Sequence, residues 1–140
     1  MRKDHSGRSA CPISCSLDIW GDRWSLLIIR NMMLYNQHTY QEFLEAPEKI
    51  ATNILANRLR MLEKAGLITK KRFPENKKKI FYKLTRMGID LLPTMIEISF
   101  WGEKYFSIAP EAKVIVKSAR NNRSGFIRTL AEKLEKQEPA

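Results

Sequence analysis

Apolar positions along this chain follow two different periods, and the change from one to the other marks its central segment. Leu55, Leu59 and Leu62 recur at spacings of four and three, which puts one apolar face on a helix over Thr52–Gly66. The opposite face carries Thr52, Asn53, Ala56, Asn57 and Arg60, and Gly66 supplies a left-handed stop. The pattern then turns to strands. Leu67–Phe73 reads as one, Pro74-Glu75-Asn76 as a turn, and Ile80–Leu84 as the returning strand, with Lys77, Lys78 and Lys79 just past the turn. Upstream, Thr39 can cap a short helix over Tyr40–Ala46 that Pro47 ends. Helix, turn, helix and a cation-tipped hairpin form a winged helix-turn-helix arrangement. The fold class is α+β and mostly helical, with a two-stranded wing.

The flanks complete one domain. Residues 1–10 are polar and charged and predict a disordered arm. Cys11–Gly21 predicts a short helix with Pro12 in its first turn. Asp22 can cap a second helix, Trp24–Leu34, apolar enough to be buried nearly all round. After the wing, Thr85 caps a long helix from Arg86 to Phe106, with a stripe of Met87, Leu91, Leu92, Met95, Ile98, Ser99, Gly102 and Phe106. Pro93 inside it predicts a bend. The stripe is wider than one small core needs and reads as a subunit interface. Two further helices, Glu111–Lys117 and Phe126–Lys136, are separated by a turn at Arg120–Gly125 in a C-terminal extension over 107–140.

Charge narrows the function. Over 140 residues, 25 cations face 15 acids, a net +10, which calls for a polyanionic partner. Double-stranded DNA fits first. No apolar run approaches the roughly 20 residues of a membrane span, and the N-terminus lacks a secretory apolar core. A cytoplasmic protein is expected, with Cys11 and Cys15 as thiols. No glycine-rich phosphate loop or HExxH pattern is present, so an enzyme is not expected. His5, Cys11, Cys15 and His38 lack finger-type spacing, and neither a metal nor a cofactor is expected.

On the outer face of the Thr52 helix, Asn53 and Asn57 can pair with adenine and Arg60 with guanine. Arg58, on its flank, suits phosphate or an internal acid such as Glu42. Thr39, at the start of the preceding helix, is a further contact candidate. Lys77, Lys78 and Lys79 suit phosphate, because lysine is a flexible point charge. Trp20, Trp24 and Trp101 could line an effector pocket, although aromatics at helical spacing more often form core. A winged helix used for protein assembly or RNA binding is the competing reading.

Several segments together resemble the HxlR family of bacterial transcriptional regulators, winged-helix proteins related to the MarR group. They are Cys11-Pro12-Ile13, Leu17-Asp18, Trp20–Trp24, Phe43-Leu44, Ile50–Gly66, Tyr82–Gly88, Leu91-Leu92-Pro93 and Trp101-Gly102. The resemblance covers residues 11–106. It implies a homodimer on a pseudopalindromic operator, repression as the family-level outcome, and recognition by Thr52–Ala65 with a wing at Pro74–Lys79. It further implies dimerisation through the first and C-terminal helices, for which Ile13, Leu17, Leu92, Met95, Ile98, Ser99 and Phe106 are the candidates. A Cys-Pro cysteine senses oxidants or electrophiles in some members, so Cys11, with Cys15 one turn along, becomes a redox candidate and an oxidant or small molecule a candidate effector. Two positions depart from the family pattern: Ala51, where many relatives cap the recognition helix with Ser, and Ala56, where many have a polar residue.

Overall fold

The computed structural model describes residues 2–3 and 7–140. Its elements run α1 (Pro12–Trp20), α2 (Ser25–Leu34), α3 (Tyr40–Leu44), α4 (Thr52–Ala65), β1 (Ile68–Phe73), β2 (Asn76–Leu84), α5 (Arg86–Ile89), α6 (Leu92–Tyr105), α7 (Pro110–Asn121) and α8 (Arg123–Glu135). The strands form one antiparallel hairpin in which Ile68 faces Leu84 and Lys71 faces Phe81, with an irregularity between Arg72 and Phe73. The backbone N–H of Tyr82 also donates to the His38 carbonyl at 2.7 Å, tying β2 to the loop before α3. The core gathers Ile29 and Met32 of α2, Phe43 of α3, Leu55 and Leu62 of α4, Leu67 of the connection to β1, and Ile68 of β1, all buried. Each such side chain stabilises the fold by about 1.5–3 kcal/mol on burial.

Local chemistry explains the helix ends. Thr39 and Glu42 form a capping box at α3, each side chain serving the other's backbone N–H. Asp22 accepts from the N–H groups of Trp24 and Ser25, both at 2.9 Å, and so caps α2. α4 starts after Ala51 without a side-chain cap. It ends at Gly66, whose φ of 91° suits a residue without a Cβ.

Three expectations are corrected. The helix predicted from Arg86 to Phe106 is two helices. Pro93 has no N–H to offer the Ile89 carbonyl; α5 stops at Ile89, and Pro93 lies in the first turn of α6, where a missing donor costs nothing. The predicted turn at Arg120–Gly125 shrinks to a junction at Asn122, which ends α7 and caps α8 by accepting from Gly125 N–H at 3.1 Å. β2 begins at Asn76, so Lys77, Lys78 and Lys79 lie in a strand and not in a loop.

The C-terminal helices pack onto the winged-helix body. Ala119 of α7 and Leu134 of α8 join its core. Part of the predicted N-terminal arm, residues 1 and 4–6, lies outside the described residues. The end of that arm is held on α1: Arg8 pairs with Asp18, and Ser9 meets the Cys11 N–H and the Cys15 thiol. No helix among the described residues is long and apolar enough to cross a membrane.

Candidate nucleic-acid interface

α4 buries Leu55, Leu59 and Leu62 and turns Thr52, Asn53, Asn57 and Arg60 to solvent. Asn53, Asn57 and Arg60 stand at spacings of four and three, so they share one exposed face. Ala56, between them, is half-buried and presents only a methyl group. α3 packs against α4, and the Tyr40 hydroxyl donates to the Thr52 carbonyl at 3.1 Å, pinning the first turn. The contact holds α4 against α3 and leaves the first-turn N–H groups of α4 without a side-chain cap, and the sequence did not signal it.

Arg58 has a different partner from the one expected. Its Nη1 lies 3.2 Å from Oδ1 of Asp22, not near Glu42, whose carboxylate serves the α3 cap. Its Nε and Nη2 donate to Oδ1 of Asn57 at 3.2 and 2.8 Å. Burial would raise the Asp22 carboxyl. The Ser25 hydroxyl, the Trp24 and Ser25 amides and the Arg58 charge outweigh it and hold the group below its usual range. Asp22 therefore links the start of α2 to the exposed face of α4 as a carboxylate at neutral pH.

Thr39 is corrected as a contact candidate. It is buried, and its hydroxyl is committed to Glu42. His38 is buried too. Its Nδ1 meets the Tyr82 carbonyl at 2.9 Å and its ring stacks on Phe81 at 4.5 Å. Among the described residues no group of three or more His, Cys, Asp or Glu could hold a metal ion, and His5 lies outside them.

The wing presents Lys77, Lys78 and Lys79, all exposed. Lys79 lies over the Phe73 ring at 4.6 Å, and Arg72 donates to the Lys77 carbonyl, so the tip is internally braced. The wing follows the recognition helix directly, β1 being joined to α4 through Gly66 and Leu67 alone.

Exposed apolar side chains stand on α1 and at α6. Ile13 is 70% exposed, Leu17 48%, Ile98 46% and Phe106 64%. Trp101 and Tyr105, which the stripe did not include, are comparably exposed and pack together at 5.2 Å. Leu92 and Met95 are buried within the protomer, and Ser99 is half-buried with its hydroxyl donating to the Met95 carbonyl. A cleft of about 310 Å³ opens between α2, α6 and α7, with Leu26, Leu34, Met95, Ile98 and Val116 in its walls. None of Trp20, Trp24 or Trp101 lines it. Cys11 is exposed at the N-terminus of α1, and Cys15 is half-buried, its thiol donating to the Ser9 carbonyl at 3.2 Å.

The model of a family described as HxlR-like helix-turn-helix matches residues 19–109. The chain belongs to the HxlR family. Its matched segment holds α2 to α6 with the wing, and it ends just before α7. The HTH-type transcriptional regulator YdeP of Bacillus subtilis (strain 168) is 32% identical over 95 residues, 68% of this chain and 73% of YdeP. The crystal structure of PA1607 superposes with a TM-score of 0.63 at 37% identity, covering 74% of this chain and 70% of that one. The redox regulator HypR in its oxidised form gives 0.61 at 26% identity, covering 70% of this chain and all of HypR (100%). The HxlR protein described here is thus a transcriptional regulator with a winged-helix fold, mostly helical around a two-stranded sheet.

Proposed function

We propose that this HxlR protein is a homodimeric repressor that binds double-stranded DNA at a pseudopalindromic operator. One observation carries the reading: α4 turns Asn53, Asn57 and Arg60 to solvent, and the hairpin that follows it exposes Lys77, Lys78 and Lys79. α4 enters the major groove and reads base edges, while Lys77, Lys78 and Lys79 hold phosphates and set the register. The exposed Ile13, Leu17, Ile98 and Phe106 support pairing of two protomers through α1 and α6, with Trp101 and Tyr105 added to the seam. The dimer has to set its two α4 helices about 34–36 Å apart to reach successive major grooves on one side of B-DNA.

The test combines light scattering with footprinting on duplexes enriched from a random pool. A dimer protecting two related half-sites one helical turn apart is the expected result. A monomer, or equal protection of every duplex, overturns the proposal. Selective retention of single-stranded RNA or of a protein partner would favour the assembly reading instead.

A signal input is proposed at Cys11. Its exposure at the N-terminus of α1, beside the seam proposed for dimerisation, supports it, as does likeness to a regulator named for redox control. An oxidant or electrophile acting there changes the spacing of the two α4 helices by favouring one dimer arrangement over another. Mass spectrometry after diamide treatment should find Cys11 modified before the half-buried Cys15, together with loss of operator binding. Cys11 left unmodified while operator binding persists rules the input out.

A further inference from the structure

The exposed face of α4 holds an unequal pair of asparagines. Asn53 has no side-chain partner recorded on α4, whereas the Asn57 oxygen receives two hydrogen bonds from Arg58, at 3.2 Å from Nε and 2.8 Å from Nη2. A side-chain amide oxygen has two lone pairs, and a guanidinium has donors only. The amide orientation follows from that chemistry, because only oxygen can face the fork. Both acceptor positions are then used, and only the Asn57 NH2 group points outward.

The fork is itself held. The remaining guanidinium nitrogen, Nη1, pairs with Asp22 at 3.2 Å, and the Arg58 side chain is 22% exposed. Asp22 is fixed in turn by the Trp24 and Ser25 amides and by the Ser25 hydroxyl. The N-terminal end of α2 thus sets the direction of a side chain on α4.

We propose that Asn57 is a donor-only specificity determinant, with Arg58 as the positioning residue that closes its acceptor. An unconstrained Asn takes adenine bidentately, accepting from N6 and donating to N7. With its oxygen occupied, Asn57 loses the first of these bonds, and the adenine amino group meets amide donors. α4 therefore selects a base edge that offers acceptors at this position: guanine, through N7 and O6, or thymine, through O4. The inference rests on α4 being the DNA-reading helix.

Duplexes enriched from a random pool by the full-length protein test it, with wild type compared against Asn57→Ala, Arg58→Met and Arg58→Lys. In wild type, one position per half-site should prefer guanine or thymine, and Asn57→Ala should erase that preference. In Arg58→Met and Arg58→Lys the preference should move to adenine at that position, by about tenfold in the ratio of affinities. Arg58→Lys keeps the charge and the helix propensity but lacks the fork, so it separates positioning from phosphate attraction. Asp22→Asn, which loosens the fork from outside α4, should shift the preference the same way. An Arg58→Lys protein that enriches the wild-type sequence overturns the proposal. So does a wild-type protein that enriches adenine at the Asn57-dependent position. A wild-type protein that enriches no duplex sequence at all overturns the DNA-reading assignment along with it.

Discussion

Glu138, near the C-terminus, reaches back to the wing and bridges both of its strands: Lys71 of β1 donates to Oε2 at 2.7 Å and Lys83 of β2 to Oε1 at 3.1 Å. The same end of the chain is tied at Arg86–Glu135 and at Gln137–Asn36. The segment that follows α8, beyond the family-matched residues, thus braces the wing. The hydrogen bond from Lys71, then that from Lys83, lowers the Glu138 carboxyl below its usual range. The contact is therefore kept at neutral pH and lost only as the pH falls through that lowered value.

Glu138→Gln should leave the melting temperature nearly unmoved, since surface ion pairs contribute little to global stability. It should instead raise amide exchange in β1 and β2 relative to α2 and α4. Hydrogen exchange read by mass spectrometry on wing peptides checks this, and equal exchange in the two proteins would end the bracing role.

The wing lysines can be tested as phosphate contacts. Replacing Lys77, Lys78 and Lys79 together by Ala should weaken binding to enriched and random duplexes alike. The slope of log affinity against log salt should become shallower by up to about 2.7, near 0.9 for each phosphate released. Titrations at two salt concentrations measure it, and an unchanged slope would place the wing away from the backbone.

Much of this was legible in the residues, for identifiable reasons. The Leu55, Leu59 and Leu62 spacing and the stop at Gly66 defined α4, because both signals are local. The Pro74 turn between apolar runs marked the hairpin for the same reason. What escaped depends on residues distant in sequence. Arg58 pairs with Asp22, far upstream, and no local pattern distinguishes that partner from Glu42. Leu92 and Met95 read as interface because the stripe on α6 looked uncovered. They are instead buried inside the protomer, in a body whose core also takes in Ala119 of α7 and Leu134 of α8. Pro93 was weighed as a bend when its position suits a helix start equally well.

Gly88 offers a stability test outside the DNA-facing surface. A Cβ there would lie 2.3 Å from the Leu67 carbonyl oxygen and 2.9 Å from Leu84. Since the first of these is backbone at the junction of α4 and β1, it cannot swing aside. Gly88→Ala should destabilise the fold by about 1–3 kcal/mol. That corresponds to a fall of roughly 3–10 °C in melting temperature for a chain of this size. A thermal melt followed by circular dichroism decides it, and an unchanged midpoint would show that α5 can shift away from the hairpin without cost.

His38 makes acid stability a readout of the packing between the α3 entry and the wing. Burial lowers its imidazole from the ordinary 6.5. The hydrogen bond to the Tyr82 carbonyl and the Glu42 charge oppose that shift without cancelling it, while Lys133 adds to it. In the unfolded chain the ring takes up a proton near 6.5, whereas in the fold it resists. Stability contributed by the neutral ring is therefore full above about pH 6.5. It declines as the pH falls below that value, by at most about 1.4 kcal/mol per unit, and levels off once the pH passes the lowered folded value. His38→Gln, which cannot take up that proton, should flatten the decline just below pH 6.5. Chemical unfolding of both proteins across that range measures the difference. Parallel curves would mean that the ring is protonated as easily in the fold as in the unfolded chain.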